Sequence, residues 1–167
     1  MAALATIGVY GFTATTFVAA LRDADVRLVI DVRDRRAVRG AEYAWANAVR
    51  LAAALADAGI AYRHERSLAA PAALRALQYR EDAVLGAGKR SRALLAAAFA
   101  ARYASEVLDR ADLRAIVAAM APEGRSALLC VERDPPACHR SLAAQRLAER
   151  FGLELIHLAP ESAAPPD

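Results

Sequence analysis

Cysteine, lysine and aromatic side chains are all scarce in this chain of 167 residues: there are two cysteines, Cys130 and Cys138, a single lysine, Lys89, and 6% aromatics. Two cysteines cannot build a disulfide framework, and a chain of this length buries about 70% of its unfolded surface, so neither a disulfide nor a metal is needed for folding. The first residues, Met1 to Ile7, are too short for a signal peptide or membrane helix, and the later apolar runs are broken by arginine. The chain therefore reads as cytoplasmic, with no membrane partner.

With lysine nearly absent, all but one of the 22 basic residues are arginine. Codon usage in a GC-rich, Ala- and Arg-rich chain explains scattered positions such as Arg102, Arg110 and Arg146. Clusters are more informative, because a planar guanidinium fork suits phosphate and carboxylate. Arg33, Arg35, Arg36 and Arg39 fall in one segment and Lys89, Arg90 and Arg92 in another. Tyr10, Phe12, Tyr43 and Trp45 flank the candidate loops, and a ring beside an arginine cluster can stack a base while the guanidinium holds phosphate. Each ring could equally fill core space.

Strand-like and helix-like segments alternate. Short strands are expected at Leu4–Ile7, Val26–Val32, Ile60–Tyr62, Ala127–Glu132 and Leu153–Leu158. Helices are expected from Thr13, a good N-cap, to Ala24, from Asn47 to Ala58 with Gly59 as its stop, from Pro71 to Leu85, and from His139 to Phe151. Ser91–Met120 reads as one long helix or two consecutive ones after a Gly86–Gly88 hinge. This alternation predicts a single α/β domain over residues 1–158, a mostly parallel, five-stranded, Rossmann-like sheet with helices on both faces, and a disordered tail over 159–167. Ligands of such sheets bind beyond the carboxyl ends of the strands. Gly8–Gly11, Asp31–Gly40, His64–Arg66 and Cys130–Arg140 all fall there.

The stretch from Ala127 to Ser141 runs from an apolar strand through a Pro-containing loop into a helix opening on Cys138-His139-Arg140. A helix start offers unpaired N–H groups and partial positive charge, so a cysteine there tends toward thiolate, and His139 and Arg140 push the same way. Cys130, in the apolar run, reads as inert core.

Several segments together resemble the DUF488 family, a domain of unknown function. They are Thr6-Ile-Gly-Val-Tyr-Gly-Phe12, Val29-Ile-Asp-Val-Arg33, Arg35-Arg-Ala-Val-Arg-Gly40, Tyr43 to Asn47, Gly59-Ile-Ala-Tyr62, Lys89-Arg-Ser-Arg92 and Cys130-Val-Glu132 followed by Cys138-His-Arg-Ser141. The match runs in order from Leu4 to Leu158. Ala37 stands where that branch usually has glycine and Trp45 where it has phenylalanine, and neither change removes a reactive group. The resemblance implies a fold and a motif set but no reaction and no cofactor.

The residues must carry the chemistry. Cys138 as thiolate could attack an electrophilic carbon or sulfur, with His139 or His64 as proton partner and Glu132 orienting it. Neighbours at a helix start usually point apart, which favours a partner from another loop, such as His64. Asp31 is expected to hold Arg33 or Arg140 or to act as an acid or base; a dinucleotide role is disfavoured because Gly8-Val-Tyr-Gly11 lacks the G-x-G-x-x-G pattern. Cys130, Glu132, Cys138 and His139 are suitable metal ligands by type, but the cysteines are eight apart where zinc sites usually place them two to four apart. Substrate contacts are expected from Arg33, Arg35, Arg36, Arg39, Tyr10, Tyr43, Asn47, Lys89, Arg90, Arg92, Arg140 and Ser141, with the two basic clusters sharing one anion site. The sequence thus points to a cysteine-dependent enzyme acting on a nucleotide, nucleic acid or phosphorylated metabolite. The alternatives are a non-catalytic module gripping phosphate at a helix N-terminus and, with less support, a metal- or haem-dependent enzyme.

Overall fold

The computed structural model describes residues 2–161. Five strands form one all-parallel sheet: β1 (Ala3–Ile7), β2 (Val26–Asp31), β3 (Ala61–His64), β4 (Arg125–Leu129) and β5 (Glu154–Leu158), in the order β3-β2-β4-β1-β5. The helices are α1 (Ala14–Asp23), α2 (Ala48–Asp57), α3 (Ala72–Val84), α4 (Ala97–Tyr103), α5 (Leu113–Ala118) and α6 (His139–Phe151). Parallel strands buried on both faces need continuous apolar runs, and Leu4, Ala5, Ile7, Val29, Ala127, Leu128 and Leu129 are all inaccessible to solvent. Of the expected tail, 159–161 is described and 162–167 lies outside the described residues.

The strand order fixes where a site can form. The connections through α1 and α2 carry the chain from β1 outward to β2 and β3, whereas the connection after β3 returns to β4 and α6 leads on past β1 to β5. Right-handed crossovers running in opposite directions lie on opposite faces of a sheet. The chain therefore leaves β1 and its neighbour β4 toward opposite faces, which opens a crevice above their carboxyl ends. No helix among the described residues is long and apolar enough to cross a membrane.

Helix ends follow local chemistry. Thr13 caps α1 through a reciprocal pair of hydrogen bonds with Thr16, and α6 ends on Gly152 in the left-handed conformation that glycine tolerates at low cost. Two expectations need correction. The Ser91–Met120 stretch is not helical until Ala97, and a π turn at Ala104–Leu108 and a break before Asp112 then divide it. Tertiary hydrogen bonds override helix propensity at its start: Leu95 N–H donates to the Pro136 carbonyl and Ala96 N–H to Gln78 Oε1. The fourth strand begins at Arg125 and stops at Leu129, so Cys130, Val131 and Glu132 lie in a loop. At the strand's polar start Arg125 donates to the Ala24 carbonyl and Ser126 Oγ accepts from Ala121 N–H.

At the end of β2, Asp31 and Arg33 form a buried ion pair in which both carboxylate oxygens accept, from Arg33 Nε at 2.9 Å and Nη2 at 2.8 Å. Tyr62 donates to the same carboxylate at 2.6 Å, and Arg33 Nη1 donates to the Ala46 carbonyl at 2.9 Å, tying the loop after β2 to the sheet. Replacing Asp31 by alanine strands a guanidinium in the core. The expected cost is about 3–5 kcal/mol, read as a lower denaturation midpoint with an unchanged slope.

Candidate functional site: a cationic cavity over a thiol pair

Loops leaving β1, β2 and β4, together with α3 and the segment before α4, enclose a cavity of about 920 Å³ at the carboxyl edge of the sheet. Its walls carry Arg33, Arg35, Arg39, Lys89, Arg90 and Arg92, so both basic clusters border one space although about 50 residues separate them in sequence. Arg90 also bridges the clusters directly, donating to the Arg39 carbonyl at 3.0 Å.

Most of these cations are already neutralised. Arg33 is held by Asp31, Arg75 by Asp34 at 2.8 Å, Arg90 by Glu42 at 3.1 Å and Arg92 by Asp82 at 2.9 Å. Arg90 also stacks over the rings of Tyr10 and Tyr43, 5.2 and 5.3 Å from their centroids, while Tyr43 Oη accepts from Gly11 N–H. The two tyrosines therefore brace the mouth of the cavity. Arg36 donates to Tyr62 Oη rather than reaching the cavity, and Asn47 accepts from Val38 N–H, shaping the loop that carries Arg39. Among the described residues, Lys89, Arg35 and Arg39 have no carboxylate within ion-pair distance, and of these only Lys89 is turned in from solvent. Burial pulls its pKa down, but Glu132 and Cys130 outweigh it and raise it, so Lys89 is a firm cation.

The floor lies in the loop after β4. Cys130 N–H donates to the Ile7 carbonyl, and Val131 carbonyl accepts from Val9 and Tyr10 N–H, both at 3.0 Å. These bonds turn Cys130 and Glu132 upward to line the cavity beside His139. Cys130 Sγ lies 3.6 Å from Glu132 Oε2 and 3.9 Å from His139 Nδ1. His139 Nε2 is 3.1 Å from the Val32 carbonyl, which requires a proton on Nε2; Nδ1 then accepts from the sulfur in the neutral ring and donates to it in the charged one. Cys138 is 1% exposed and does not reach the cavity; its Sγ, Cys130 Sγ and a His139 nitrogen lie within 4.8 Å of one another.

The structure thus gathers Cys130, Cys138, His139 and Glu132 and leaves His64 and Asp31 out. His64 Nε2 is bonded to the Arg33 carbonyl at 2.7 Å, and Asp31 is consumed by Arg33 and Tyr62. Cys138 and His139 do converge, against the expectation that neighbours point apart, because the backbone passes from extended at Cys138 (φ −135°, ψ 141°) into the helix. Nor did the eight-residue spacing prevent convergence of the two sulfurs, which the loop and the Pro135–Ala137 turn fold together. Cys130, read from sequence as core, is buried within the core cluster and also lines the cavity; its apolar neighbours concealed the second role, because periodicity cannot show where a strand stops. The resulting sulfur–sulfur–nitrogen set is of a type that could hold a zinc-like ion.

The electrostatics of the floor follow from crowding. Burial raises the Cys138 pKa, but the neighbouring Cys130 thiol, Arg140 and His139 outweigh it and bring it well below the ordinary thiol value. Cys130 moves the other way, pushed well up by Cys138 beside it and by burial. Two thiols this close behave as one unit that loses its first proton easily and its second with difficulty. Burial and the Cys138 charge push the Glu132 carboxyl up to about 7. Arg92 Nη1 is 3.5 Å from Glu132 Oε1, yet its charge is already matched by Asp82 and does not hold Glu132 ionised. Burial lowers the His139 pKa, but Cys138 and Glu132 outweigh it, with a net rise.

Arg140 sits beneath this floor, fully buried. Neither sequence-based role fits its contacts: it is off the cavity and bonded to no carboxylate. It donates to the carbonyls of Glu132 and, at 3.1 Å, Arg133, while Ser141 Oγ caps its own turn on the Cys138 carbonyl. Arg140 is therefore a brace for the loop that presents Cys130.

The protein is an open parallel α/β sheet with a cavity at its reversal point, floored by titratable side chains, the position at which such sheets bind their ligands. The model of the family described as a domain of unknown function, DUF488, matches residues 13–147, and the chain belongs to that family. The Thr6–Phe12 segment lies outside the matched span. Searches of curated proteins and of solved structures return no match.

Two outcomes are expected. Arg140→Ala removes two charge-assisted hydrogen bonds, each worth about 1.5–3 kcal/mol, so thermal unfolding should show a loss of at least about 3 kcal/mol. Glu132 binds more protons folded than unfolded between about pH 4.5 and 7, so its contribution is fully present below about pH 4.5 and is lost as pH rises through 7, by at most about 3 kcal/mol. Glu132→Gln should flatten that part of the stability–pH curve.

Proposed function

We propose that the protein is a cysteine-dependent enzyme acting on an anionic small molecule, a nucleotide or phosphorylated metabolite, in the cavity over Cys130 and Cys138. The observation that carries this reading is the pairing of a turned-in cation lacking a carboxylate partner, Lys89, with a thiol pair that ionises easily at the floor of the same space. Lys89 fixes the anionic part of the substrate, with Arg35 and Arg39 drawing it in from the rim. Cys130 presents sulfur to the substrate, Cys138 with Arg140 and His139 behind it stabilises the negative charge of the pair, and Glu132 and His139 exchange the proton. The cations line an enclosed space rather than a flat face, which favours a small ligand over a nucleic-acid strand.

Alkylation by iodoacetamide across pH 5 to about 9 tests the reading. One sulfur per chain, Cys130, is expected to react, with a rate that rises at the first ionisation of the thiol pair, below the usual value of about 8.5, because the two sulfurs share that proton loss. Pyrophosphate should slow the reaction in the wild type and lose that effect in Lys89→Gln. An ordinary thiol profile, combined with nucleic-acid binding that weakens steeply with salt, would establish the non-catalytic alternative instead.

A further inference from the structure

We propose that Cys130 and Cys138 form a dithiol–disulfide redox centre, in which Cys130 attacks a small anionic disulfide held in the cavity and Cys138 resolves the product. The inference rests on the thiol reading above and goes beyond it by assigning a task to the second sulfur. Cys138 cannot meet a substrate: it is buried off the cavity, below Cys130. The electrophile within its reach is Cys130 Sγ, inside 4.8 Å. A disulfide requires about 2.05 Å, so forming it draws together two sulfurs that already lie within 4.8 Å of each other. A stabilised thiolate set behind a buried, cavity-lining thiol has no use in single-sulfur nucleophilic catalysis beyond charge. In thiol–disulfide exchange it is the group that completes the reaction.

The steps balance. Cys130 gives its proton to Glu132 or His139 and attacks one sulfur of the bound disulfide R–S–S–R. That S–S bond breaks, the first thiolate leaves and takes up the proton, and a mixed disulfide remains on Cys130. Cys138 thiolate then attacks Cys130 Sγ, and the bond from Cys130 to the second substrate sulfur breaks. The products are a Cys130–Cys138 disulfide and a second substrate thiolate, which takes a proton from solvent. The substrate disulfide gains two electrons and the protein dithiol loses two. In this scheme Lys89 holds a carboxylate or phosphate of the substrate so that its S–S bond lies over Cys130.

The test uses dithiobis(nitrobenzoate), an anionic disulfide whose released thiolate is coloured. Reduced, metal-free wild-type protein should release two thiolates per chain and end lighter by two hydrogens, with no adduct. Cys138→Ser and Cys138→Ala, checked for native circular dichroism, should release one and retain the nitrobenzoate as a stable mixed disulfide. Cys130→Ser should release none at a comparable rate, at least tenfold slower. Persistent nitrobenzoate adducts on folded wild-type protein would overturn the proposal. So would native mass spectrometry showing that the protein as isolated carries a metal ion on both thiols that these reagents do not displace. If the disulfide forms but pyrophosphate never protects, the anionic-substrate reading fails and the dithiol centre stands. If the alkylation pKa is low but no internal disulfide forms, the dithiol centre fails and the single-thiol reading stands.

Discussion

The site depends on the close approach of β1 to the loop after β4. At Gly8 a Cβ would lie 2.0 Å from the Glu132 carbonyl oxygen and 3.2 Å from Arg140 Nη1, so only glycine lets the two backbones meet there. Arg140 donates to that same carbonyl from below, and Val9 and Tyr10 N–H bond the next one along. With its carbonyls held from both sides, the loop has little freedom in where it sends its side chains. Cys130 and Glu132 turn up into the cavity while Cys138 stays beneath. The brace carries a full charge into a buried place, which is tolerable because the carbonyls take two of its donor nitrogens and the thiol pair lies close enough to feel its charge.

Much of the fold was legible because its signals are local: apolar strands four to six residues long, the Thr13 cap and the Gly59 stop each depend on neighbours in sequence. The failures share a cause. Residues 91–96 have ordinary helical composition, but Gln78 and the Pro136 carbonyl claim that backbone from elsewhere. Cys130 is core as read, but its place on the cavity wall was hidden because a strand's last residue cannot be read from hydrophobicity when the loop beyond is apolar too. Clustering of arginine and lysine correctly marked the segments that border the cavity. It could not separate Arg33 and Arg92, spent on buried carboxylates, from Lys89, because their partners Asp31 and Asp82 are ordinary acidic positions in the sequence.

That division of labour among the cations explains why the lone lysine matters more than the arginines around it. A guanidinium matched by a carboxylate presents almost no net charge to the cavity, and its fork is occupied. Lys89 instead sits between Gly88 and Arg90, and Arg92 two residues on is fixed to Asp82 and the Ala137 carbonyl. The paired arginines set the shape of the wall, and Lys89, with Arg35 and Arg39 toward solvent, supplies its charge.

Charge at the wall and protons at the floor are therefore linked. Lys89 is the nearby cation that favours the ionised forms of both Glu132 and Cys130. Under the proposed function, an anion seated on Lys89 would cancel that influence, so binding would favour a proton on the carboxyl and on the cavity-lining thiol. By reciprocity, raising the pH enough to strip those protons weakens the anion. Under that function, the same crowding that makes one proton of the thiol pair easy to lose would tie the second to occupancy of the cavity.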